Sequence, residues 1–216
     1  MRTEPSVKRA VVFVDGQNLF HAAREAFGYT YPNYDVAALG RAVCAATGWQ
    51  LVQVRFYTGV PDARDDERWS VFWAAKLLAM SRQGIVTFSR PLRYRNRRVQ
   101  LPDGSQHTYL AGEEKGIDVR IAIDVIRMAH RGEYDVAVVF SQDQDLSEAA
   151  GEIRAISREQ DRWIKIASAF PVSLLAHNTR GIERTDWLPI ERAVYDACID
   201  RRDYRRKPGG PEDGPR

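Results

Sequence analysis

The chain has 216 residues, 44% of them hydrophobic and 28% charged, a globular profile long enough to bury a substantial core. Its apolar runs are short, far below the roughly 20 residues that cross a bilayer as a helix, which excludes a helical membrane-spanning protein. The net charge of +3 conceals a segregation: Arg90 to Arg98 carries five arginines and no acid, Arg201 to Lys207 carries five basic residues against Asp203, and the remainder is net acidic.

In chain order, Ala10 to Val14, Leu51 to Tyr57, Ile85 to Ser89, Val136 to Phe140 and Trp163 to Ala167 are β-branched or aromatic runs bounded by polar residues or glycine, and predict strands. Between them, Leu19 to Phe27, Val36 to Ala46, Glu67 to Ser81, Val119 to His130 and Leu146 to Arg158 have helical spacing. Strand alternating with helix, with strands apolar on both faces, predicts an α/β fold with a parallel sheet covered on both sides. Ligands of such sheets gather at the carboxyl ends of the strands. Tyr94 to Leu101 and His107 to Leu110 flank the turn signal Pro102-Asp103-Gly104-Ser105 and predict an inserted basic hairpin. Further on, Val172 to His177 reads as a short helix, Arg184 to Trp187 as a sixth, edge strand and Ile190 to Tyr204 as a closing helix. Residues 9–204 are then one domain and 205–216 a basic, Pro/Gly-rich disordered tail with too little apolar content to order. No apolar leader follows the first residues, and Cys44 and Cys198 stand far apart, so a reduced, cytoplasmic protein is expected.

Several chemistries lack their residues. There is no Cys-x-x-Cys or His-x-x-x-His for zinc, no phosphate-binding Gly-x-x-x-x-Gly-Lys-Ser/Thr loop, no Gly-x-Gly-x-x-Gly after a strand and no Gly-x-Ser-x-Gly elbow. Any metal must be held by oxygen. An aspartyl-phosphate enzyme would want a second acid two positions after Asp15, where this chain has Gln17.

Three acidic blocks remain. Asp15 ends the first strand, followed by Gly16 for a sharp turn and Asn18 as a candidate cap of the next helix. Asp143 and Asp145 follow the fourth strand in Ser141-Gln142-Asp143-Gln144-Asp145; Asp145 with Glu148 also fits a helix capping box, whereas Asp143 has no such structural role. Two carboxylates at the ends of neighbouring strands repel unless a cation lies between them, and oxygen donors of this kind suit Mg²⁺ or Mn²⁺. The third block is Lys115-Gly116-Ile117-Asp118, leading into a helix that Asp118 could cap; Lys115 is either a phosphate contact or a surface lysine. Asp124 lies about 120° around that helix from Asp118, so it acts from behind the ligands or faces solvent. Ser141 and Asn18 either orient water or phosphate or make ordinary turn hydrogen bonds.

The blocks Val14-Asp15-Gly16-Gln17-Asn18-Leu19-Phe20, Lys115-Gly116-Ile117-Asp118 with Asp124, and Val138 to Asp145 together resemble the NYN-domain branch of the PIN-like nucleases, over about residues 9 to 190. The resemblance implies a three-layer sandwich with a mainly parallel sheet of five or six strands, an acidic pocket binding Mg²⁺ or Mn²⁺, and hydrolysis of RNA. It makes Asp15, Asp118, Asp143 and Asp145 the acidic site with Asn18 as polar companion, and Asp15, Asp118 and Asp143 the metal ligands. This chain has Gln142 where the family usually has Gly and Leu146 where Phe is usual. The hairpin reads as a nucleic-acid clamp, with Arg90, Arg93, Arg95, Arg97 and Arg98 for phosphates and Tyr94 as an aromatic face for a base, or else as a solvated basic surface. Trp69, Phe72, Trp73, Leu77 and Met80, at helical spacing, are read as core. The expected partner is RNA, with single-stranded DNA and a second copy of the chain left open. The rival functions are a nucleic-acid-binding or scaffold protein that keeps the fold without turnover, and a metal-dependent phosphatase acting on a small substrate.

Overall fold

The computed structural model describes residues 2–101, 104–174 and 176–204. Eight strands and six α-helices follow in the order β1 (Arg9–Asp15), α1 (Gly16–Phe27), α2 (Val36–Thr47), β2 (Gln50–Val60), α3 (Glu67–Arg82), β3 (Val86–Pro91), β4 (Arg93–Gln100), β5 (Gln106–Glu113), α4 (Ile117–His130), β6 (Val136–Phe140), α5 (Ser147–Glu159), β7 (Lys165–Pro171), β8 (Asp186–Ile190) and α6 (Arg192–Asp196). Six strands form one sheet in the order β3-β2-β1-β6-β7-β8, every pairing parallel, and β4 and β5 form a separate antiparallel ribbon. This is the three-layer PIN-like sandwich with an inserted hairpin. Among the described residues no helix is long and apolar enough to cross a membrane.

Alternation along β1 divides the core. Ala10, Val12 and Val14 pack beneath α1, α2 and α3, while Val11 and Phe13 pack beneath α4 and α5. Because β6 and β1 beyond Arg9 are buried, Ala10 to Val14 and Val136 to Phe140 run apolar without alternation. The strand order reverses between β1 and β6, and this switch point opens the sheet's carboxyl edge into a crevice.

The carboxyl-terminal third departs from expectation. Residues 172–174, 176 and 177 are not helical: Val172 N–H donates to Ile190 O (3.0 Å), and Glu25 of α1 accepts from the N–H groups of His177 and Asn178. The predicted closing helix shrinks to α6. After it, Ile199 bridges Tyr34, Asp200 N–H donates to Asn33 O (2.8 Å) and Asp35 N–H donates to Cys198 O (2.8 Å), so pairing with residues 33–35 replaces helical bonds. Lys76 fixes this segment from beneath. Buried at 1% exposure, its ammonium donates to Tyr34 O (3.0 Å), pairs with Asp200 (3.6 Å) and lies 5.0 Å from the Tyr204 ring. Arg201 to Tyr204 are therefore irregular chain, anchored on α3 through Tyr204, rather than a helical continuation. The turn residues Pro102 and Asp103 and the tail at 205–216 lie outside the described residues.

Asp124 is fully buried. It accepts from Tyr57 Oη (2.9 Å), Arg55 (3.0 Å), Arg120 (3.1 Å) and Arg127 (3.0 Å), joining β2 to α4. Burial alone would raise its pKa, but these donors outweigh burial and hold it below the usual carboxylate value. Asp124→Asn leaves three arginines facing a neutral amide, and by analogy with broken buried ion pairs is expected to cost about 3–5 kcal/mol in urea unfolding. Arg127→Ala, at the exposed edge of the cluster, should cost less than about 1 kcal/mol.

Candidate functional site

Asp15 is the last residue of β1 and only 6% exposed. It, rather than Asn18, caps α1: its Oδ1 accepts from Asn18 N–H at 3.0 Å. Asn18 is thereby free to reach across the switch point, where its Oδ1 accepts from Gln142 N–H at 3.0 Å and ties the first turn of α1 to the loop after β6. In that second loop neither aspartate caps α5, which has no side-chain cap; Asp143 caps the short 3-10 turn Gln144–Leu146 ahead of it, its Oδ1 accepting from Asp145 N–H (3.0 Å), while its own N–H donates to the buried Ser141 Oγ (3.1 Å). Asp145 is exposed and does not line the pocket. Ser141, at 1% exposure, positions Asp143 rather than meeting solvent.

Asp118 stands in the first turn of α4, whose cap is Gly116 in the left-handed region (φ 73°), so Asp118 is not the cap. Asp15, Asp118 and Asp143 line one pocket of about 620 Å³ at the switch point. Sequence reasoning missed two further acids there, Glu113, which pairs with Arg97, and the more buried Glu114. The Glu114 carboxylate accepts from Gly59 N–H and, at 3.4 Å, from Thr58 Oγ1, both at the end of β2. The approach requires glycine, since a Cβ at residue 59 would lie 2.5 Å from Glu114 Cγ. The paired acids Glu113-Glu114 ahead of the helix were the available signal, but the partner backbone is far away in sequence. His21, Lys115 and Arg97 complete the rim, Arg97 paired with Glu113 at 2.6 Å.

The electrostatics follow from this crowding. Burial, then the charges of Glu114, Asp143 and Asp118, push Asp15 up to about 7 against the pull of the Asn18 N–H. Glu114 is raised as well, by burial first and by Asp118. These are hard oxygen donors whose repulsion a divalent cation would relieve, and in that chemistry the set fits Mg²⁺ or Mn²⁺. Among the described residues, however, no three His, Cys, Asp or Glu side chains form a ready-made cation cage. Asp124 lies outside the pocket, in its own arginine cluster.

The hairpin is sorted by its pleat. Arg93, Arg95 and Arg97 share one face with Glu113, and only Arg97 reaches the acidic pocket. Tyr94 and Arg98 are on the opposite face. Arg90 precedes the hairpin and stacks over Phe88 at 5.4 Å. Gln142 and Leu146 do not line the pocket: Gln142 Nε2 donates to Asn178 O (3.1 Å) and Arg180 O (2.9 Å), clasping a neighbouring loop, and Leu146 is core.

A parallel α/β sandwich with acids gathered at its switch point defines a nuclease-like domain of the PIN type. The family model for the NYN domain matches residues 9–161, and the chain belongs to that family. No curated protein matches it. Among solved structures it is 18% identical to a protein of unknown function from Vibrio parahaemolyticus, covering 88% of this chain and 97% of that one with a TM-score of 0.48. It is 15% identical to a deacetylase of the teicoplanin biosynthesis pathway in complex with teicoplanin (73% and 68% covered, TM-score 0.31) and 10% identical to MurG of Acinetobacter baumannii (84% and 45%, TM-score 0.32). Likenesses this distant carry no functional weight.

Because Asp15 is raised from 3.8 to about 7, its proton stabilises the fold fully below pH 3.8, and that contribution is lost as pH rises through 7. Asp15→Asn keeps the capping oxygen and removes the charge. In chelator at pH 8 it should be more stable than wild type, by at most about 4 kcal/mol at 1.36 kcal/mol per pH unit, and near pH 4 the two should melt alike. Thermal melts at both pH values read the difference.

Proposed function

We propose that this protein is a metal-dependent endoribonuclease that hydrolyses RNA phosphodiester bonds at the acidic switch-point pocket. The observation that carries the reading is the convergence of Asp15, Glu114, Asp118 and Asp143 on one crevice, two of them raised by burial and mutual repulsion. Asp15, Asp118 and Asp143 would hold Mg²⁺ or Mn²⁺, with Glu114 beside them. A bound ion would supply charge neutralisation at the phosphate and lower the pKa of a water.

The chain's own residues do the rest. Asn18 fixes the loop that bears Asp143, so the two strand-end aspartates keep a constant separation. Ser141 orients Asp143 from behind. Arg97 and Lys115, on the rim, face an incoming phosphate, and Arg93 and Arg95 extend that basic face along the hairpin. No nucleophilic side chain is required. The reading without turnover drew on Gln142 and Leu146, and neither lines the pocket. A small phosphate ester would leave the basic hairpin face without a role, which favours a polymer.

Asp15→Asn and Asp143→Asn should each lower cleavage of labelled single-stranded RNA in Mn²⁺ by 10²-fold or more, about 2.7 kcal/mol of barrier, whereas Asp145→Asn should stay close to wild type. Wild-type rates for the first two variants would overturn the site. In the hairpin, replacing Arg93, Arg95 and Arg97 together by Ala should flatten the slope of log affinity against log salt by up to about 2.1, at about 0.7 per phosphate contact on a single strand. Arg98→Ala, on the other face, should leave that slope unchanged.

A further inference from the structure

We propose that a second cavity, abutting the acidic pocket, is a nucleobase subsite that takes one unstacked base of the strand whose phosphate enters the acidic pocket; this rests on the nucleic-acid reading above. The cavity holds about 300 Å³, at the lower end of the range for small organic ligands (about 300–1,000 Å³). It shares Gln17 and Gly112 with the acidic pocket, so neighbouring parts of one strand can occupy both.

Its walls are aromatic: Phe20 from α1, Trp69 and Trp73 from α3, and Tyr94 from the hairpin. Helical spacing assigns Trp69 to the core with Phe72, Trp73 and Met80, and those three are indeed buried. Trp69 is only half-buried and lines the cavity. The walls are preformed. Trp73 stacks on Phe56 with centroids 5.9 Å apart, and Trp69 meets Phe72 edge-on at 5.0 Å. On the hairpin, Tyr94 pairs with Gly112, where a Cβ would lie 3.1 Å from the Tyr94 ring, so the missing side chain lets the ring settle against the ribbon.

The lining chemistry selects a base over a phosphate. Among the described residues no lysine or arginine lines this cavity, and its charged group is Asp66, which caps α3 by accepting from Trp69 N–H at 3.1 Å. A carboxylate there repels phosphate but accepts from the amino edge of a base. Aromatic faces accept any base by stacking, which is worth about 5- to 150-fold in affinity per base. The hairpin therefore serves two cavities: Arg97 meets the phosphate side and Tyr94 the base side.

The test compares an oligoribonucleotide with an all-abasic strand of the same length, titrated into the full chain in chelator and again in Ca²⁺, without turnover. Wild type should prefer the base-bearing strand by about 5- to 150-fold. Tyr94→Ala and Trp69→Ala should each lose most of that preference while binding the abasic strand as wild type does; Tyr94→Ala covers the case in which the α3 variant fails to fold. Equal binding of both strands by wild type overturns the subsite alone. So does an equal loss on both strands, or no loss, in the variants. If wild type binds neither strand, the nucleic-acid reading falls with it. Absence of cleavage in Mn²⁺ with the base preference intact would instead count against catalysis and leave the subsite standing.

Discussion

Like charges do not gather by themselves. Asp15, Glu114, Asp118 and Asp143 share a crevice because each is held by an element that folds for other reasons: a buried strand end, the backbone at the end of β2, the first turn of a helix and a capped loop. The frame is a wholly parallel sheet whose central strands are buried on both faces, and it holds in place a site that repels itself. Asn18 is the brace across the opening, its bond to Gln142 N–H joining the first turn of α1 to the loop after β6 against that repulsion. The same charge density that weakens the pocket is the ground on which a divalent cation is proposed there.

Asp124 illustrates the opposite solution to a buried charge. Where the pocket leaves its carboxylates short of donors, Asp124 is surrounded by Arg55, Arg120, Arg127 and the Tyr57 hydroxyl, and is kept ionised. One helix thus carries both kinds of aspartate, six residues apart: Asp118 available at the pocket, Asp124 committed to fastening α4 to β2. The difference lies in who their neighbours are, not in the residue type.

Much of this was legible in the chain itself. The central strands showed as unbroken apolar runs because both their faces are buried, and Asp15, Asp118 and Asp143 stood out by following such strands or opening a helix. What sequence could not supply were relations across long loops. Asp145 looked like the helix cap and Asp143 the free acid; instead α5 has no side-chain cap, Asp143's carboxylate accepts from the N–H two residues on in the short turn ahead of it, and Asp145 is exposed. Glu114 depends on a glycine in another strand, and the closing helix dissolved because residues 33–35 offered its backbone other partners. Gln142 departs from the family pattern yet is spent on a neighbouring loop, a role visible only once Asn178 and Arg180 are in place.

The pleat of the inserted ribbon has an evolutionary consequence. Side chains along β4 alternate between a face that carries Arg93, Arg95 and Arg97 and one that carries Tyr94 and Arg98, and the two faces border different cavities. Inserting or deleting one residue near the base of the ribbon would exchange the faces, turning tyrosine toward the carboxylates and arginines toward the aromatic walls. Changes in pairs preserve the arrangement, as do changes beyond the paired residues at the outer end. Length variation in related hairpins should accordingly come in even steps near the base and be unrestricted at the tip.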